Sequence, residues 1–372
     1  MQRWASVVSA ALALPGLAGA QALPEQGPSA VSVRWMSYRD WQPGLDRIRV
    51  TSPAVNARWS HADGWSLDAS VVGDHVSGAS PRYHTAVSGA SRMSDRRTAT
   101  QLRWTRYEAQ RVAAYGLATS DENDYHSRAL SAQWSWGSDD RNRSWSVGVN
   151  ASHDRIGAAD APRFRAQRNA TELVLGYTAA LTPSDLVQGG LAWGQSRGYH
   201  SDPYKTPDLR PSQRRWGSLT LRWHHHFDTT DWSLRTSYRA YSDSFGVASH
   251  TLSLEGTWSS PGGWRWSPLL RLYSQDAASF YYNPVYEYQG IPVPPGGFQG
   301  PPNWISTDQR LSAFGSVALG VRLQVPLDAQ TTLDARLERY EQRTAWHLLT
   351  PGSRGLAPLS AAIVQVGLER RF

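Results

Sequence analysis

The chain has no cysteine and a single lysine, Lys205, among its 372 residues. The first absence excludes a disulfide framework, so an exported chain of this length must be held by hydrogen bonding and burial alone. The second leaves the formal net charge of +7 almost wholly to arginine. Those arginines are scattered along the chain, which argues against a nucleic-acid partner despite the basic balance. Long apolar runs are also missing. No window beyond the N-terminus holds the roughly eighteen consecutive apolar residues that a spanning helix needs, so a bundle of membrane helices is excluded. There is no glycine-rich phosphate loop. Nor does any spacing among the serines and the eleven histidines single out a nucleophile and its base. Neither an enzyme nor a cofactor-binding protein is expected.

What the chain does have is aromatic surface. It carries 18 Trp and 16 Tyr yet has a negative mean hydropathy. Many aromatics on a polar average suit a wall that is apolar on one side and polar on the other. At the N-terminus, Arg3, an apolar stretch over 5–17 and Ala18-Gly19-Ala20 have the form of a secretory signal with a small-residue cleavage site. Cleavage near Ala20 would divide the chain into a signal (1–20), a short periplasmic segment (21–29) and an outer-membrane barrel (30–372).

The barrel is read from period two. Trp145, Val147, Val149 and Ala151 alternate with Ser146, Gly148, Asn150 and Ser152, and Leu319, Val321, Leu323 and Val325 alternate with Gly320, Arg322 and Gln324. Such segments fall near 30–40, 46–59, 65–78, 97–108, 111–121, 125–137, 143–155, 166–180, 185–198, 212–227, 231–243, 246–259, 263–276, 308–326, 330–343 and 358–372. They predict an all-β, transmembrane, antiparallel barrel of about sixteen strands, each long enough to cross a bilayer. Connections alternate between short ones, such as 109–110 and 328–329, and generally longer ones, such as 79–96 and 277–307. That is the pattern of short periplasmic turns and long extracellular loops. Trp pairs flank the short turns: Trp59 and Trp65, Trp136 and Trp145, Trp223 and Trp232, Trp258 and Trp264. They suit an interfacial aromatic girdle. Val364, Val366, Leu368 and the terminal Phe372 share one parity and resemble a barrel-assembly signal, with Arg370 where that signal usually has an apolar residue. The partners expected are therefore outer-membrane lipid and, through the last strand, the barrel-assembly machinery.

Function is less sharply drawn. The polar parity carries Arg222, Arg235, Arg271, Arg322, Asp334 and Arg336 among other charges. These would make either a water-filled path with a mild anion preference or a ladder of paired charges bracing the wall. The loop over 74–97 brings Asp74, Arg82, Tyr83, His84, Arg92 and Asp95 as candidates for a constriction or ligand site, and Asp202, Tyr204, Lys205 and Arg210 form a second polar element. Asp121-Glu122-Asn123-Asp124 has oxygens for a hard cation but not the spacing of a calcium loop. His224-His225-His226 alternates in direction, so only two of the three could converge. No metal site is assigned to either.

Three of these stretches carry a resemblance. Val76-Ser77-Gly78-Ala79-Ser80-Pro81-Arg82-Tyr83-His84 with Ser88-Gly89-Ala90-Ser91-Arg92-Met93-Ser94-Asp95-Arg96-Arg97 is similar to an uncharacterised bacterial family catalogued as domain of unknown function 3570. So are Asp202-Pro203-Tyr204-Lys205 with Arg210-Pro211, and Tyr273-Ser274-Gln275 with Phe280-Tyr281-Tyr282. The resemblance implies a predicted outer-membrane protein and supplies no activity. The expected function is a channel for a small solute, with the slight excess of arginine favouring an anion, a non-conducting scaffold barrel as the alternative and an outer-membrane lipid hydrolase as a remote third.

Overall fold

In the computed structural model, which describes residues 23–79, 92–205, 207–283 and 304–372, the chain closes into a barrel. The first strands are β1 (Ala30–Gln42), β2 (Leu45–His61), β3 (Trp65–Ala79), β4 (Arg92–Tyr107), β5 (Arg111–Asp121) and β6 (Tyr125–Gly137). They are followed by β7 (Arg143–Ile156), β8 (Ala166–Ala180), β9 (Asp185–Gly198), β11 (Gln213–Phe227), β12 (Trp232–Asp243) and β13 (Ala248–Ser259). The circuit ends with β14 (Arg265–Gln275), β16 (Phe314–Pro326), β17 (Thr331–Arg343) and β18 (Leu359–Arg371). Two short strands, β10 (Asp208–Leu209) and β15 (Ile305–Ser306), pair with each other outside the wall. The sixteen wall strands are those read from alternation. The leader expected over 1–20 lies outside the described residues.

Each wall strand pairs antiparallel with its chain neighbour, and β1 closes the circle on β18 from Ala30↔Arg371 to Trp41↔Ser360. Closure matters because hydrocarbon offers no partner to an open edge, at a cost of several kcal/mol per orphaned backbone group. Alternation then sorts the side chains. Val33, Trp35, Val55, Leu130, Leu191 and Leu337 stand exposed on the outer face. Their neighbours of the other parity, such as Met36, Tyr38, Val72, Ala114 and Ala318, are buried in the interior.

The two ends differ. At the short-turn end, Trp59 meets Trp65 edge-on at 5.0 Å between ring centroids, and Trp136 stacks on Trp145 at 6.5 Å. Trp258 and Trp264 flank their turn as read from the sequence, and in the ladder Trp258 stands opposite Trp266. Gly263 takes a positive φ of 80°, and the Trp264 amide bonds the Ser260 hydroxyl, so Trp264 belongs to the turn and β14 starts one residue later. The chain entering β1 lies along this rim, where Gln26 donates to the carbonyls of His61 and Trp65. At the other end most connections are longer, although those at 43–44, 122–124 and 244–247 are short, and the described parts of the connections after β9, β12, β14 and β17 pack together.

Lipid exposure of the outer face is testable at Leu130, 61% exposed and near the middle of β6. Leu130→Arg should destabilise the refolded barrel by about 2–4 kcal/mol in bilayers. Denaturant titration in lipid vesicles should show that loss, and its absence would mean that this face does not meet hydrocarbon.

Candidate functional site: a charged cap and the lumen beneath it

The stretch read as the start of a strand at 308 behaves differently. Strand β16 begins only at Phe314, and Asp308 caps a turn of 3-10 helix over Gln309–Leu311. Three consecutive polar residues, Asp308, Gln309 and Arg310, break the alternation there. The helix is tied to the wall by Gln275, the last inward residue of β14, whose amide donates to the carbonyls of Arg310 and Ser312 at 2.9 and 2.7 Å. Leu311 drops into a small apolar core with Phe245, Val247, Ala278 and Phe280. The connections after β12 and β14 thus share one core.

Asp308 is fully buried and is the hub of this cap. Lys205 Nζ lies 2.9 Å from its Oδ1, and Arg210 donates to its Oδ2 at 2.7 Å and to Asp208 at 2.8 Å. Arg310 also donates to Asp308 through Nε, at 2.8 Å, and reaches Asp202 at 3.0 Å. The described cap therefore sets three cations against three carboxylates. Burial pushes the Asp308 carboxyl up, but the charges of Arg310, Lys205 and Arg210 outweigh it and hold the group well below the usual carboxylate range. The β10–β15 ladder brings the two cluster-bearing segments side by side.

Of the sequence candidates, Asp202, Lys205 and Arg210 are thus brought together. Asp308, Arg310 and Asp208 were not singled out, although the interrupted alternation at 308–310 was a signal. Tyr204 points elsewhere: its hydroxyl bonds Asp124 and accepts from the Ala159 amide at 2.7 Å, tying the cap to two further loops. Asp74 is not in a loop. It faces inward from β3, buried, accepting from the Ser52 hydroxyl and pairing with Arg97 at 3.1 Å. Arg82, Tyr83 and His84 lie outside the described residues, and Arg92 is described only as the first backbone position of β4.

Asp95 does gather carboxylates. Its oxygens and those of Glu122 and Asp124 come within 4.8 Å of one another, a grouping that could hold a cation. Asp121, of the same acidic run, instead faces outward and pairs with Arg128 at 3.0 Å. Burial first, and then the charge of Asp95, pushes the Glu122 carboxyl up to about 8. In the histidine run, His224 and His225 diverge as expected, and His225 Nδ1 lies 2.8 Å from Asp185 on the outer side.

Most of the named lumen charges are paired. Arg271 and Arg336 share Glu338, at 3.5 and 2.5 Å. Arg322 meets Asp334 at 2.5 Å and Arg235 meets Glu255 at 3.9 Å. Arg222 faces the lumen from β11 beside these pairs. Directly beneath the cap is a cavity of about 710 Å³. It exists because β16, between Phe314 above and Arg322 below, points only Ser316, Ala318 and Gly320 inward, while Tyr273, Tyr340 and Tyr38 stand on β14, β17 and β1 around it. Arg271, Arg336 and Glu338 line it from the wall, and Gln309 and Arg310 roof it. A Ser–His pair also occurs: Ser196 Oγ is 2.6 Å from His200 Nε2, with His200 Nδ1 on the Gly198 carbonyl at 3.1 Å. Both residues are buried, and the contact at Nδ1 is to backbone instead of a carboxylate.

This architecture is that of an outer-membrane β-barrel. A bacterial polysaccharide outer membrane secretin aligns over 92% of this chain and 98% of its own at 9% identity, with a TM-score of 0.50. CdiB from Acinetobacter baumannii aligns over 91% of this chain at 10% identity and a TM-score of 0.49, and the chain spans 60% of CdiB. OccK2 (OpdF) of Pseudomonas aeruginosa, solved in complex with glucuronate, aligns over 93% of this chain and 98% of its own at 11% identity and 0.46. At these identities the likeness is one of fold. No curated protein sequence matches the chain. The model of the protein family of unknown function DUF3570 matches residues 89–362, and the chain belongs to that family.

Two outcomes follow from these charges. Asp308→Asn leaves three buried cations facing two carboxylates and should destabilise the cap by about 3–5 kcal/mol, the usual cost of breaking one side of a buried pair. Protease nicking within 199–212 and 304–313 should accelerate, while the barrel itself keeps its heat-modifiable migration on gels. Glu122 has a folded pKa raised above its ordinary value of 4.5, so its stabilising contribution is full below about 4.5 and is lost as pH rises through about 8. Urea midpoints at pH 5, 7 and 9 should therefore decline more for the parent than for Glu122→Gln; parallel profiles would contradict the assignment.

Proposed function

We propose that the chain is an outer-membrane channel, and not an enzyme, that passes a small anionic solute and is closed at its long-loop mouth by the charged cap. The observation that carries this reading is the cavity of about 710 Å³ under the cap. A barrel serving only as a brace has no need of small residues along one inward stripe and tyrosines on either side of it. The sharing of one carboxylate, Glu338, between Arg271 and Arg336 leaves this part of the lumen with an excess of positive charge. Such a field favours anions in a narrow aqueous path. In this reading the leader over 1–20 directs export, the long loops face the exterior, and the last strand engages the assembly machinery.

A second reading, a non-conducting scaffold barrel, draws on the pairing of most lumen charges and on the packed cap. Planar-bilayer recording separates the two. The parent should conduct weakly, Asp308→Asn should conduct more, and the joint variant Arg271→Gln/Arg336→Gln should move the reversal potential in a salt gradient toward cation selectivity. Silence from both parent and Asp308→Asn, in barrels shown to be folded, would overturn the channel. A stoichiometric partner co-purifying from native membranes would then favour the scaffold.

A further inference from the structure

Arginine is unwelcome on a lipid-facing wall, yet several stand on the outer face at the long-loop end. Three lie in one register across four neighbouring strands. Arg339 on β17 is opposite Ala362 on β18, Ala362 is opposite Arg39 on β1, and Arg39 is opposite Arg49 on β2. The indole of Trp41 sits among them, with the Arg339 guanidinium 4.3 Å and the Arg39 guanidinium 5.8 Å from its ring centroid. The acids nearby are each shared by two arginines. Asp46 accepts from Arg39 at 2.7 Å and from Arg49 at 3.3 Å, and Glu341 serves both Arg339 and Arg343. Four guanidiniums against two carboxylates leave this cluster, among the described residues, with a surplus of two positive charges. Arg39, Arg49 and Arg339 keep about half of their side-chain surface exposed. Immediately toward the other end, on the same face, the wall turns apolar through Trp35, Val55, Leu337 and Val364. Arg39 lies four residues from Trp35, roughly 13 Å along the strand.

A basic cluster at the head of an apolar track is complementary to an amphiphile with an anionic head. A free anion has no use for the track, and a neutral lipid has no use for the arginines. Guanidiniums bind phosphate through paired N–H donors, which suits a phosphate monoester better than a zwitterionic headgroup whose own ammonium repels them. We propose that Arg39, Arg49 and Arg339, around Trp41, form a binding site for the phosphate groups of an anionic glycolipid of the outer leaflet. The site rests on the orientation given above, in which the long loops face outward, but it does not depend on conduction.

The test is a native mass-spectrometric titration of the refolded full chain in detergent with bis-phosphorylated lipid A. The parent should retain the lipid, and Arg39→Gln/Arg49→Gln/Arg339→Gln should bind it at least about tenfold more weakly, since each basic residue near an anionic surface is worth roughly fivefold. Dephosphorylated lipid A should bind the parent as poorly as the phosphorylated lipid binds the triple variant. Arg128→Gln, at an outward arginine on β6 whose partner Asp121 is shared with no second arginine, should behave as the parent. Should the triple variant fail to fold, Arg49→Gln alone should give an intermediate loss. Equal retention by parent and variant, equal binding of the dephosphorylated lipid, or displacement by millimolar inorganic phosphate would each overturn the site. Orientation is read separately, by an epitope inserted after the exposed Leu349 and probed on intact cells.

Discussion

Everything in this protein follows from the need to pair the backbone of a chain surrounded by lipid. The pairing of Ala30–Trp41 with Ser360–Arg371 is the last step of a circuit in which no strand is left with an open edge. Once the circuit is closed, alternation has only one consistent solution in the middle of the wall: the parity rich in large apolar groups faces outward and the other faces inward. The composition that looked contradictory, rich in tryptophan yet polar on average, is the outcome of that sorting. It also explains how the chain dispenses with cysteine, since the ladder runs through every wall strand.

Closure fixes the number of interior positions but not what fills them, and the chain solves that differently around the circle. On β3, β4, β7, β8 and β11 the interior is stitched by ion pairs and hydroxyls: Asp74 with Arg97 and Ser52, Asp154 with Arg168 and Ser127, Trp216 with Glu172. Across β14 to β18 and β1 the small side chains of β16 leave a hollow between tyrosines. Gly194 marks the filled side, because a Cβ there would meet the Trp216 ring at 2.2 Å. Among the described residues the lumen is therefore more tightly filled on one side than on the other.

The sequence made the wall legible because a strand buried on one face must alternate, and every wall strand does. It made the cap legible only in part. Asp202, Lys205 and Arg210 stand out as charges in a proline-bearing loop, but nothing local connects them to Asp308, roughly a hundred positions later, across two hairpins. Asp308 and Arg310 were absorbed into a strand because they adjoin one, and the misplaced start at 308 instead of 314 hid the hub. Asp74 is the contrasting case. The strand read over 65–78 already contains it, and β3, running from Trp65 to Ala79, carries it into the wall although the small-residue stretch that follows begins beside it. Long-range pairing of charges has no periodicity, so patterns that reveal a strand are silent about it.

The cap and the outer arginine cluster apply one rule in two dielectric settings. In the cap, burial forces charge balance, and three cations meet three carboxylates with Asp308 shared by Lys205, Arg210 and Arg310. Removing any one charge there leaves a buried ion uncompensated. On the outer face at the same end, surplus charge is tolerated because it lies at an interface and not in hydrocarbon. Four arginines can there share two acids and still await a counter-charge. Three of the strands behind the outer cluster, β17, β18 and β1, also border the cavity. A ligand held outside at Arg39 and Arg339 would thus bear on the strands whose inner faces present Tyr38 and Tyr340, one residue away on each strand. Lipid and solute would then meet the same strands from opposite sides.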